Sequence, residues 1–171
     1  MRGFLLIVAL FFCLAPRPGN CEAWDFAAGG GAYYGSTFRQ DQKDGLGISV
    51  YADLGLTETL SLTFAGAYAA HFVGGGRAYS LAGAGVGIGY KIDTLVVVPF
   101  AALRLGWLLT SFEEESASNG LGLCVTVGFD YLVTESFSVG FAAEYRGMLS
   151  DLVGFPAYAA FTTRVGFRLP Y

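Results

Sequence analysis

The chain has 171 residues, 54% hydrophobic and 14% charged, with a mean hydropathy of +0.51 and a net charge of −4. An acidic chain without a basic patch argues against nucleic acid, whose phosphates are held by clustered Lys and Arg. The apolar content points to membrane, yet beyond the N-terminus no stretch supplies the roughly 20 consecutive apolar residues a spanning helix needs.

Read from its start, the chain opens with Met1-Arg2-Gly3, a positive end, followed by an apolar core over 4–15 that Pro16-Arg17-Pro18-Gly19 breaks. Cys21-Glu22-Ala23 then offers small residues at both ends, as a leader-cleavage site requires. The expected division is a signal peptide over 1–23 and a mature domain over 24–171. The apolar core is too short for a membrane anchor. A lipoprotein site at Cys21 lacks the preceding apolar residue, and one at Cys13 has bulky Phe12 where a small residue belongs. Cleavage leaves Cys124 as the single cysteine, so no internal disulfide supports the fold. It also leaves 8 Lys and Arg against 13 Asp and Glu.

Eight segments of period two follow, at 24–37, 46–56, 60–72, 78–92, 95–109, 121–133, 137–147 and 158–171. Alternation at this length is the signature of transmembrane strands, apolar toward lipid and small or polar toward a lumen. The first segment is glycine-rich and weakly patterned. The second sets Leu46, Ile48, Val50 and Leu54 against Gly47, Ser49, Tyr51 and Asp53. The third and fourth turn small residues inward: Ser61, Thr63, Ala65, Ala67 and His71, then Gly83, Gly85, Gly87, Gly89 and Lys91. The fifth is apolar on both faces, and Arg104 alone sets its phase. In the sixth, apolar odd positions from Leu121 to Tyr131 oppose Gly122, Cys124, Thr126, Gly128 and Asp130. The seventh opposes Phe137, Val139 and Phe141 to Ser138, Gly140, Glu144 and Arg146. The eighth opposes Phe161, Val165, Phe167 and Leu169 to Thr162, Arg164, Gly166 and Arg168.

With these phases every charge inside a strand points to the lumen: Asp25, Asp53, Lys91, Arg104, Asp130, Glu144, Arg146, Arg164 and Arg168. On the lipid face a charge at mid-membrane costs about 2–4 kcal/mol. Short connections at 57–59, 93–94 and 134–136 alternate with mostly longer ones at 38–45, 73–77, 110–120 and 148–156. That is the spacing of periplasmic turns and surface loops, with both termini periplasmic. Outward aromatics gather near the strand ends, among them Trp24, Tyr90 and Tyr131 at one rim and Tyr68, Phe72 and Trp107 at the other. A soluble barrel or sandwich puts apolar residues inside and polar ones outside, and its interior could not be built from the face of Gly, Ala, Ser, Thr and charge. The expected fold is an all-β, eight-stranded, antiparallel up-and-down transmembrane barrel.

At the level of pattern the mature chain resembles the small outer-membrane barrels, the OmpA-, OmpX- and OmpW-like proteins, without separating the three. Arg164, Gly166, Leu169 and Tyr171 are spaced like the C-terminal assembly signal that the barrel-insertion machinery reads. Tyr171 stands where Phe is commoner, and Pro170, which lacks a ladder donor, sits where a strand must already be leaving the sheet. The resemblance implies outer-membrane lipid and that machinery as partners, with extracellular ligands reached through surface loops.

A barrel of eight strands is just wide enough for side chains to fill. Five cations and four anions inside it read as a charge-paired plug, because buried charge is costly unless paired. The grouping expected is Asp25, Asp53, Lys91, Asp130 and Arg168 near the periplasmic end, with Arg104, Glu144, Arg146 and Arg164 further along. A non-enzymatic structural or surface-interaction barrel follows. The alternative is a narrow channel for small solutes, hydrophobic ones among them, by analogy with OmpW-like proteins alone. His71, the only histidine, precedes Phe72 and Val73, so the His-x-Ser arrangement of barrel acyl hydrolases is missing. One His and one Cys far apart make no metal site, and Glu113-Glu114-Glu115 reads as a solvated loop. The period-two glycines of the fourth segment are strand packing rather than a dinucleotide fingerprint, and no cofactor is expected.

Overall fold

The computed structural model describes residues 25–37, 44–72, 78–92, 96–112, 118–149 and 157–169. The expected leader, Trp24, the Glu113–Glu115 run, Pro170 and Tyr171 lie outside them. Eight strands follow in chain order: β1 (Phe26–Thr37), β2 (Gly45–Gly55), β3 (Leu60–Phe72), β4 (Ala78–Lys91), β5 (Val97–Phe112), β6 (Ser118–Leu132), β7 (Phe137–Met148) and β8 (Tyr158–Leu169). Each pairs antiparallel with the next, and β1 pairs with β8, so the sheet closes on itself. Closure leaves no edge strand with unpaired backbone groups, a requirement for any sheet in lipid.

Alternation places the side chains as the sequence requires. Ile48, Val50, Phe64, Val86, Leu103 and Phe167 stand on the outer surface, exposed by 45–64%. Inside, Thr63, Arg104, Thr126, Glu144, Thr162 and Arg164 are buried. This surface is inside-out relative to a water-soluble protein, and it matches an apolar lipid-facing band around a polar interior. The phase of β5, which rests on Arg104 in the sequence, is correct: Val98, Ala102, Arg104, Leu108 and Thr110 point inward.

Two turns share one construction. Leu56-Thr57-Glu58-Thr59 and Val133-Thr134-Glu135-Ser136 each begin with two amides that donate to one carbonyl, Leu60 O at 2.8 and 3.1 Å and Phe137 O at 2.9 and 3.1 Å. In the first, Thr57 Oγ1 also accepts from the amide of Leu60 at 3.0 Å, holding the strand entry. These turns mark one end of the barrel, called here the short-turn end. At the opposite, long-loop end β5 and β6 run three residues further than the sequence pattern indicates, pairing as far as Thr110 with Ser118. The 110–120 connection is therefore shorter than expected. The apolar alternation fades there, and backbone pairing carries the strands on.

Candidate functional site

The site is the lumen, and the sheet register builds it. Arg104 on β5, Cys124 on β6 and Arg146 on β7 are direct cross-strand neighbours in one transverse row. One step along the barrel axis, Thr126 faces Glu144. Glu144 thus lies between two guanidiniums. Arg104 Nη2 donates to Glu144 Oε1 at 3.1 Å, and Arg146 Nε donates to Glu144 Oε2 at 2.9 Å. Thr126 Oγ1 accepts from the same Arg104 nitrogen, and Cys124 Sγ lies 3.6 Å from it. Arg146 also donates to the Tyr158 hydroxyl at 3.4 Å and lies 5.5 Å from the Tyr33 ring centre. All three charged residues are less than 9% exposed.

Nearer the short-turn end the arrangement is reversed. Asp130, Gly140 and Arg164 form a second transverse row across β6, β7 and β8. A Cβ at Gly140 would overlap Asp130 Oδ1, so glycine leaves the gap through which the carboxylate reaches Arg164. Arg164 approaches Asp130 at 3.2 Å and Asp53 at 3.7 Å, one guanidinium between two carboxylates. Its guanidinium carbon lies 3.7 Å from the Tyr51 ring centre and 4.2 Å from that of Phe100, a cation held between two aromatic faces. The Tyr51 hydroxyl rests where a Cβ on Gly166 would be. Gly166, expected as part of an assembly signal, thus has a second reason to be glycine in the folded wall. At the short-turn mouth Arg168 pairs with Asp25 at 3.0 Å.

Of the nine expected lumen charges, eight enter ion pairs within these groups. Lys91 makes none among the described residues; it lines a cavity of about 50 Å³ with Asp53, Asp130, Arg104 and Arg164. Arg164 differs from its expected grouping: it reaches toward the short-turn end and joins Asp53 and Asp130 rather than Glu144. The sequence pattern fixed its strand and face but not which way a long side chain bends. Unanticipated too was the aromatic lining. Tyr33, Tyr79 and Tyr158 are buried inward near the long-loop end, where Tyr79 stacks on His71 with ring centres 4.6 Å apart. Their parity alone put them inside, and extending each strand's phase to its last residue would have found them.

A closed eight-stranded barrel with an apolar exterior and an ionic interior is the fold of the small outer-membrane barrels. No protein-family model and no curated protein matches the chain. Among solved structures it is similar to the outer membrane protein OprG from Pseudomonas aeruginosa, at 13% identity and a TM-score of 0.67 over 88% of this chain and 98% of OprG. Ail, the attachment invasion locus protein of Yersinia pestis, is 11% identical with a TM-score of 0.63, covering 86% of this chain and all of Ail. The outer membrane enzyme PagL is 14% identical with a TM-score of 0.52, covering 86% of this chain and 99% of PagL. At these identities the likeness is one of fold, and the fold is shared by proteins of different activity.

Proposed function

We propose that this chain is an integral outer-membrane barrel of a diderm bacterium, exported by the leader over 1–23, with both termini periplasmic and its lumen sealed by paired charges. Its role on this reading is structural or one of surface interaction, with the loops meeting the outside. The observation that carries it is the bracketing of Glu144 by two arginines and of Arg164 by two aspartates, one above the other across the bore. The free spaces beside them amount to about 30 and 50 Å³, room for a few water molecules each. The outward apolar surface supports the membrane, and the fold shared with OprG and Ail supports the outer one. Ail has also been solved in complex with the heparin analogue sucrose octasulfate, a precedent for a ligand on a barrel of this fold. His71 is buried and stacked on Tyr79, which supports a packing role and a non-enzymatic protein, although PagL puts an enzyme on the same fold.

Purified protein in planar bilayers tests the seal: a silent membrane is expected, and steady single-channel steps refute it. A second reading, a narrow conduit, draws on one feature. Arg104 lines both cavities, so its side chain is a partition between them. If Arg104→Ala opens conductance in an otherwise silent protein, the partition is a gate rather than a plug. Removing Tyr171 should lower the folded fraction delivered to the membrane if the C-terminal spacing of Arg164, Gly166, Leu169 and Tyr171 acts as the assembly signal; unchanged delivery discards that role.

A further inference from the structure

The group around Glu144 does not balance. Arg104 and Arg146 contribute two positive charges and Glu144 one negative, and the three are 4, 5 and 8% exposed. Among the described residues their remaining hydrogen-bond partners are the hydroxyls of Thr126 and Tyr158 and the sulfur of Cys124. Toward the short-turn end the described lumen charges balance: Arg164 and Lys91 stand with Asp53 and Asp130, and Arg168 with Asp25. Among the described residues the surplus is thus local to the long-loop half, and an uncompensated charge kept from water is strongly unfavourable.

Beside the surplus is a space. A cavity of about 30 Å³ is lined by Arg104, Cys124 and Arg146 together with Leu108 and the glycines 83, 85 and 122. Cys124 sits between the two arginines in the register, so the row Arg-Cys-Arg presents two guanidiniums with only a short side chain between them. Arg104 spends one nitrogen, Nη2, on all its contacts with Glu144, Thr126 and Cys124. Across the cavity β4 presents glycines; a Cβ on Gly83 would stand 2.8 Å from Leu108 Cδ2 and 3.4 Å from Arg146 Nη1.

We propose that this cavity is a binding site for one small monovalent anion of the halide class, held between Arg104 and Arg146. The anion brings the group to neutrality. Guanidinium N–H groups are donors only, so they suit a spherical acceptor as well as a carboxylate. At about 30 Å³, the space of about two water molecules, the cavity fits a monatomic ion readily and is tight for a tetrahedral oxyanion such as sulfate. The site goes beyond the sealed-barrel reading and does not depend on it, since an anion could sit there in a silent or a conducting barrel.

A ligand that binds only the folded state raises the unfolding midpoint with its concentration. The test follows unfolding of the detergent-folded protein in sodium chloride, bromide, sulfate and gluconate at one ionic strength. Chloride and bromide should raise the midpoint saturably over gluconate, with sulfate tracking gluconate. Arg104→Gln, which makes the group neutral, should abolish the halide shift, and Glu144→Gln, which adds to the surplus, should enlarge it. Coincident curves in all four salts overturn the proposal, as does a sulfate effect equal to that of chloride, which would mark general screening. The native-protein titration stands even where a variant fails to fold. Bromide soaked into crystals should in addition give an anomalous peak between the two guanidiniums, and a peak elsewhere in the lumen only would refute the location.

Discussion

The two halves of the lumen are built as opposites. Toward the long loops a carboxylate is flanked by two guanidiniums; toward the short turns a guanidinium is flanked by two carboxylates. The first is closed off by buried tyrosines, while the second opens onto a larger cavity and has Asp53 and Asp130 side chains 24 and 17% exposed. The difference teaches that pairing geometry does not set the strength of each group alone. Access to water decides how costly an unpaired partner becomes.

Removing each central ion measures that difference. Glu144→Gln leaves two arginines facing each other without a counter-charge and almost without water. It should lower the unfolding free energy by about 3–5 kcal/mol, the range for breaking a buried pair. Urea unfolding in halide-free buffer followed by tryptophan fluorescence reads the loss directly. Arg164→Met keeps an apolar side chain between Tyr51 and Phe100 and strands Asp53 and Asp130, but these carboxylates can hydrate. The expected loss is smaller, about 2–3 kcal/mol. Equal losses would break the comparison by showing that water access does not matter. The double variant tests whether the halves are separate: the two losses should add within about 0.5 kcal/mol. A larger deviation would mean that Arg104, which lines both cavities, changes partners when either centre is removed.

Within the short-turn half the flanking carboxylates are themselves unequal. Asp130 is nearer to Arg164 and Asp53 is more exposed, so Asp53→Asn should cost about 0.5–1 kcal/mol, in the range of solvated pairs. A loss matching that of Arg164→Met would show that Asp53, not Asp130, anchors the guanidinium.

How much of this lay in the sequence follows from its period. Two-residue alternation fixes the face of every strand residue, so the closed barrel, its lipid surface and the inward charges were legible. The strongly alternating β7 and β8 were plain. In β5 a single arginine had to decide the phase. Which charges meet depends on register and on rotamers. Register brings Asp130 and Arg164 into one row only because β6, β7 and β8 happen to align at Gly140, and no local pattern near Asp130 points to Arg164, 34 positions on. The reach of Arg164 toward Asp53 is a rotamer choice, made where Tyr51 and Phe100 offer their faces. The Tyr158 and Tyr33 collar was hidden for another reason: large aromatics read as lipid-facing girdle residues, and only strict parity puts them inside.

The smallest effect belongs outside the bore altogether, at the long-loop rim. Asp44 immediately precedes β2 and is fully solvated. Hydrogen bonds from Tyr34, then from Ser36, and the neighbouring His71 hold its carboxyl below its ordinary value of 3.8. A group depressed in the folded state stabilises that state at pH above its unfolded value and loses the contribution as pH falls through the lower, folded one. Asp44→Asn should therefore match the native unfolding midpoint in acid well below pH 3.8 and fall slightly short of it at neutral pH. The other carboxylates titrate in both proteins, so the difference between the two pH profiles isolates Asp44. Water screens this carboxylate on all sides, whereas it barely reaches Glu144. A pH-dependent gap at the rim approaching the loss from Glu144→Gln would contradict the ordering by water access on which the contrast between the two lumen halves rests.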